Sequence, residues 1–166
     1  MFLRKRFVTC SLVVLACSLV GATSTKQADS GADAQEQTLT ETAGVSVSNG
    51  KWTLAIPRMI VTQEFDGQKA SSPSTVILVF PYTLTDLEGQ NVSLVYDPIL
   101  ANFVDKDGVD LRLPTSAYYS NSLNAYYFQT FGPRALLERG LWVVPKREGG
   151  PPFPRIRLKA NEAVSK

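Results

Sequence analysis

Six aromatic residues crowd into fourteen positions of this chain: Tyr118, Tyr119, Tyr126, Tyr127, Phe128 and Phe131. They surround Ser120-Asn121-Ser122-Leu123-Asn124. Tyrosine beside serine and asparagine is the chemistry of adaptable recognition loops, in which rigid amphipathic rings sit next to small hydrogen-bonding groups. Such rings could stack on sugar faces or anchor a partner protein, so Tyr118, Tyr119 and Tyr126 are the candidate binding residues. The same stretch also reads as a strand, with Tyr126, Phe128 and Thr130 alternating against Tyr127, Gln129 and Phe131 and some rings in the core. A second cluster, Asp105, Asp107 and Asp110, could hold calcium through carboxylate oxygens. It lacks the EF-hand spacing and a distal bidentate Glu, and Asp107-Gly108 is already explained as a hairpin turn. Glu64 and Asp66 are a carboxylate pair of the kind glycoside hydrolysis uses, but they lie in a polar stretch. The chain has no histidine. That removes the commonest general base and the commonest metal ligand together. No catalytic residue, metal or cofactor is assigned, and the chain is expected not to be an enzyme.

The N-terminus carries a different chemistry. Arg4-Lys5-Arg6 precedes an apolar run from Phe7 to Ala16. The run is too short to span a bilayer as a helix and suits the apolar core of a signal peptide. Two cleavage readings stand. In one, Val14-Leu15-Ala16-Cys17 is a lipobox and the Cys17 thiol takes a diacylglyceryl group; this resembles bacterial lipoproteins. In the other, Val20-Gly21-Ala22 is an ordinary signal peptidase site and the protein is secreted. Residues 17–44 are rich in Ser, Thr, Ala, Gly, Gln, Asp and Glu and lack aromatics. Such a segment cannot offset the entropy of ordering, and is expected to be a flexible tether reaching about 28 Å. The expected organisation is a signal peptide over 1–16 (alternatively 1–22), a tether over 17–44, one domain over 45–160 and a tail over 161–166. The expected place is the outer face of a membrane.

Composition fits that division. The chain has 166 residues, of which 44% are hydrophobic and 19% charged, enough for one core. Its two cysteines, Cys10 and Cys17, both precede the domain, so no disulfide can staple it. The formal charge of +2 becomes −1 without Arg4, Lys5 and Arg6, which is not the footprint of a nucleic-acid binder. The charge is uneven. From Arg134 onward eight Lys and Arg face three Glu. This is either a set of solvated strand edges with a basic tail or a patch that lies against anionic lipid or cell-wall polymer.

The elements that position these residues read as strands. Trp52, Leu54 and Ile56 share a face. Thr75–Thr85 places Val76, Leu78, Phe80, Tyr82 and Leu84 on one face and Ile77 and Val79 on the other, which predicts a central strand. Further strands are expected at 92–96, 99–104, 109–113, 125–131, 141–144 and 155–159, and one turn of helix or a short strand at Ala135–Arg139. Asp105-Lys106-Asp107-Gly108 predicts a hairpin turn. Gly149-Gly150-Pro151-Pro152-Phe153-Pro154 is either a polyproline-type ligand segment or a stiff loop. Asn91-Val92-Ser93 matches a glycosylation sequon, which has no role in a bacterial lipoprotein. Seven or eight short strands predict an all-β, immunoglobulin-like antiparallel sandwich, expected to be monomeric.

Three stretches resemble the telokin-like, immunoglobulin-like domain of bacterial secreted proteins and lipoproteins. They are Thr75-Val-Ile-Leu-Val-Phe-Pro-Tyr-Thr-Leu-Thr-Asp86, Phe103-Val-Asp-Lys-Asp-Gly108 and Gly140-Leu-Trp-Val-Val-Pro145. The resemblance covers about residues 50–160. Asp86 stands where Asn is usual in that family, and the aromatic stretch 118–128 is not one of its features. The resemblance implies a fold and a location outside the cytoplasm, and no reaction. The function expected is a membrane-tethered, non-enzymatic binding or adhesion module with a protein or cell-surface glycan partner. The alternative is an accessory envelope lipoprotein that assists an enzyme, transporter or wall complex.

Overall fold

The computed structural model describes residues 36–94 and 97–161. The stretch expected to be a signal peptide, Cys17, the expected tether up to residue 35 and the chain beyond Asn161 lie outside the described residues. Two sheets face each other, and the fold is all-β, with one short helix among the described residues. The first sheet runs in the order β1 (Thr38–Leu39), β12 (Ile156–Leu158), β11 (Leu141–Arg147), β8 (Ile99–Val104). The second runs β2 (Val45–Ser48), β3 (Thr53–Ile56), β7 (Thr75–Thr85), β10 (Ala125–Pro133), β9 (Thr115–Ser120), with β4 (Ile60–Thr62) also on β7. A small hairpin of β5 (Glu64–Phe65) and β6 (Gln68–Lys69) forms a third sheet. Among the described residues all strand pairings are antiparallel except that of β1 with β12, which is parallel.

β7 is the centre of the larger sheet. Its eleven residues pair with β3, β4 and β10, so both edges are hydrogen-bonded. Val76, Leu78, Phe80, Tyr82 and Leu84 turn inward to the main core. Ile77 and Val79 turn outward and are also fully buried, with Tyr127, against Phe65 and Ala70 of the β5–β6 hairpin and its flank. A strand covered on both faces must be apolar at every position, which is why this run lacks polar alternation. In the core, Phe80 stacks on Phe128 at 4.7 Å and lies 5.8 Å from Phe103 across the sandwich. Aromatic packing of this kind replaces the disulfide the domain lacks.

Four expectations about the elements are corrected. Residues 36–44 do not all belong to a tether. Leu39 is fully buried, Gln37 and Leu39 accept backbone bonds from Arg157 and Lys159, and Thr38–Leu39 is a strand. Burying one leucine and satisfying two donors, one on β12 and one just after it, outweighs the entropy of ordering a short polar stretch. Residues 109–113 form no strand. Val104 and Asp110 make an isolated bridge, and Arg112 has φ +52°, which ends the extended path. Within 92–96, Val92–Leu94 form no strand either, while Val95 and Tyr96 lie outside the described residues. The described residues hold twelve strands rather than seven or eight, because several are only two to four residues long. Ala135–Arg139 is helical, and no helix of the described residues is long and apolar enough to cross a membrane.

Candidate functional site

The aromatic stretch is a hairpin of two strands, not a loop. β9 and β10 pair from Thr115↔Thr130 to Ser120↔Ala125, joined by residues 121–124. Side chains alternate along a strand, so the register decides which rings meet. Tyr119 sits opposite Tyr126, and their rings meet edge to face with centroids 5.1 Å apart. Tyr126 continues to Tyr82 on the inner face, 6.4 Å away. Tyr118 sits opposite Tyr127 on the outer face, with centroids 5.9 Å apart. The three candidate residues therefore do not make one patch. Tyr119 and Tyr126 are together, and Tyr118 is on the other side of the sheet.

Tyr118 and Tyr119 are 49% and 43% exposed, whereas Tyr126 is half-buried and Tyr127 and Phe128 are buried. The Tyr119 hydroxyl donates to Asn124 Oδ1 at 2.6 Å, which fixes the ring across the turn. Asn124 has φ +49°, a conformation asparagine tolerates. The Ser120 hydroxyl accepts from the Leu123 amide, and Ser122 donates to Asp66 on the β5–β6 turn. These bonds tie the hairpin tip to the neighbouring sheet. Burial raises the Tyr127 hydroxyl above its ordinary pKa, and the negative charges nearest it, from Asp66 and Tyr118, push the same way.

β9 is also an edge. It pairs with β10 on one side and with no strand on the other among the described residues. Its sequence, Thr115-Ser-Ala-Tyr-Tyr-Ser120, has no charge and no proline. Edge strands are ordinarily blunted by one or the other. Its first residue is tied to the other sheet, by Thr115 Oγ1 donating to the Ala101 carbonyl at 2.7 Å.

The other candidate chemistries resolve into local structure. Asp105 Oδ1 accepts from the amides of Asp107 and Val109, both at 2.9 Å, and Asp110 Oδ1 from that of Arg112 at 2.8 Å. These carboxylates cap their own turns, and no group of three or more His, Cys, Asp or Glu among the described residues is placed to hold a metal. Glu64 pairs with Lys69 on the surface at 3.3 Å. The Gly149–Pro154 segment is a loop held down by buried Phe153, whose amide donates to Pro145, and by Asn49, which donates to the Pro151 carbonyl. Part of the basic stretch that begins at Arg134, by contrast, is gathered by the fold. Arg155 and Arg157 flank Trp142 on the outer face of β11 and β12, each with its guanidinium 5.6 Å from the ring. Trp142 Nε1 donates to Glu36 at 2.6 Å, and Glu36 also pairs with Arg155.

No protein-family model matches the chain, and no curated protein sequence matches it. Among solved structures it is similar to a DUF4426 family protein from Pseudomonas aeruginosa PAO1, at 11% identity and a TM-score of 0.41, over 72% of this chain and 98% of that one.

Proposed function

We propose that this protein is a membrane-tethered, extracytoplasmic lipoprotein whose domain binds a partner protein without catalysing a reaction. In this reading Cys17 carries the lipid, the residues before Glu36 supply reach, and β9 is the contact. The observation that carries it is an uncharged edge strand with an exposed tyrosine on each face, Tyr118 outside and Tyr119 inside. An extended segment of a partner can add to such an edge through backbone hydrogen bonds, with the flanking rings gripping its alternate side chains. The sandwich is read as telokin-like and immunoglobulin-like on the strength of the three stretches that lie on β7, the turn after β8, and β11.

The test uses the full chain as bait in detergent-solubilised membranes. Tyr118→Lys and Tyr119→Lys place on β9 the charge that edge strands normally carry. A partner captured by the wild type and lost from both variants, with slowed amide exchange over residues 115–120 in the complex, supports the reading. A partner captured equally by both variants overturns it. The anchor is tested separately. Alkyne-palmitate labelling should tag the wild type and fail in Cys17→Ser, and an unlabelled secreted product beginning at Thr23 would exclude lipidation.

A further inference from the structure

A cleft of about 630 Å³ opens at the end of the sandwich away from the tyrosine hairpin. β10 spans the distance between them. Tyr126 pairs with Tyr82 near the hairpin, and Pro133 pairs with Thr75 beside the cleft. Nine residues of strand put the two ends about 26 Å apart. The cleft's volume lies in the range of small-ligand sites.

Its charge is one-sided. Lys106 comes from the turn after β8, Arg134 and Arg139 from the two ends of the short helix α1 (Ala135–Arg139), and Arg157 and Lys159 from β12 and its exit. Against these five cations stand two carboxylates, Glu41 and Glu138. One Glu41 oxygen already accepts from the Asn161 amide at 3.3 Å. Among the described residues, Lys106, Arg134 and Arg139 take part in none of the ion pairs Lys69–Glu64, Arg147–Asp97 and Arg155–Glu36. Like charges brought to one concavity by remote parts of the chain repel each other and focus a positive potential into it. An anion relieves that repulsion.

The wall is also built to hold direction. Trp142 lines the cleft and is 7% exposed, with Arg157 against its ring. The indole needs residue 140 to be glycine, because a Cβ there would lie 3.0 Å from the ring and φ is +102°. Arginine is planar and always charged, and its forked donors match phosphate oxygens in pairs.

We propose that this cleft binds a phosphate-bearing anion, through Arg134, Arg139 and Arg157 with Lys106 at the rim. The phosphate is either free in solution or displayed on a lipid headgroup. The site is independent of the β9 contact, and Tyr118→Lys leaves it intact.

The full chain with Cys17→Ser is titrated at low salt with inorganic pyrophosphate by calorimetry. In parallel it is mixed with vesicles of phosphatidylcholine alone or with added phosphatidylglycerol. Arg134→Gln/Arg139→Gln and, separately, Lys106→Gln test the cleft; Lys51→Gln/Lys146→Gln is the control for loss of charge elsewhere. Pyrophosphate binding that weakens at least about tenfold in the double cleft variant, and not in the control, identifies a free phosphate ligand. Phosphatidylglycerol-dependent binding lost in the same variant, with no pyrophosphate binding, identifies the headgroup. Melting curves establish that both variants are folded. No binding in either arm overturns the proposal, and so does binding that the cleft variants share with the control.

Discussion

Trp52 occupies the space that a side chain on Gly150 would need. A Cβ at position 150 would sit 2.2 Å from Cζ3 of the indole and 2.8 Å from its neighbour Cη2. The ring belongs to the main core and also carries two cations, Lys51 at 4.4 Å and the Arg147 guanidinium at 4.7 Å. The Gly149-Gly150 turn is thus shaped by an aromatic ring that closes one end of the core. Gly150→Ala should cost about 1–3 kcal/mol in urea denaturation, as overpacking does. Trp52→Leu in the same background should recover part of the loss, because it removes the obstructing atoms. An alanine variant as stable as the wild type would mean that the ring does not lie there.

Arg147 ties the same end together. Its side chain is 9% exposed, and its guanidinium bonds Asp97 at 2.5 and 2.6 Å while lying on Trp52. Asp97 is 34% exposed, so water screens its charge and part of the pair's strength. Arg147→Ala removes the pair and the stem packed on the indole, and should cost about 2–3 kcal/mol. Asp97→Asn keeps a hydrogen-bond acceptor and should cost about 1 kcal/mol. The reverse order, read from paired chemical melts, would show that the cation–ring contact contributes nothing.

Leu39 tests where the domain begins. It is fully buried in the main core beside β12, and its carbonyl accepts from Lys159. Leu39→Ala in the full chain should cost about 2–5 kcal/mol. A loss below about 0.5 kcal/mol, the level of surface substitutions, would return residues 36–44 to the tether.

Tyr82 predicts an alkaline limit. Burial raises its pKa above the ordinary 10.0, outweighing the bond that its hydroxyl accepts from the Ile99 amide. Burial raises Tyr127 in the same direction. The folded state therefore holds these protons more tightly than the unfolded chain. Their contribution is fully present below pH 10.0 and is lost as pH rises from there through the raised folded values. The melting temperature should fall across that window, and Tyr127→Phe should make the fall shallower. A melting temperature flat to pH 11, about one unit above the ordinary tyrosine value, would refute this.

The parts legible in the sequence are those whose signal is local. The eleven residues of β7 announce two buried faces, Ile156 and Leu158 alternate against arginines, and Asp107-Gly108 marks its turn. β1 was not legible, because Thr38 and Leu39 sit in a polar stretch and owe their order to a partner at the far end of the chain. The same holds for the cleft. The basic run from Arg134 was visible as composition, but Lys106 joins it only through the fold, and Trp142 reads as one more apolar strand residue. Tyr118, Tyr119 and Tyr126 were visible as a cluster. Tyr118 and Tyr119 must face opposite ways on a strand, but which of them meets Tyr126 depends on the pairing register of β9 with β10, which adjacent tyrosines do not specify.

That division supplies the last test. Tyr118 and Tyr119 are exposed rings on an edge, whereas Phe128 is fully buried between Phe80 and Tyr82. Each exposed ring rests one side on a neighbour, Tyr118 on Tyr127 and Tyr119 on Tyr126, and Tyr119 also makes one hydrogen bond. Truncating both to alanine should therefore cost about 1 kcal/mol in all, slightly more than ordinary surface changes. Phe128→Ala should cost about 3–5 kcal/mol, enough to threaten a domain of this size that has no disulfide. Tyr119→Phe isolates the Asn124 bond and should cost no more than about 0.5 kcal/mol, since the group is exposed to water in its absence. If the double alanine variant instead loses as much as Phe128→Ala, the two rings are structural, and β9 has no side chains to spare for a partner.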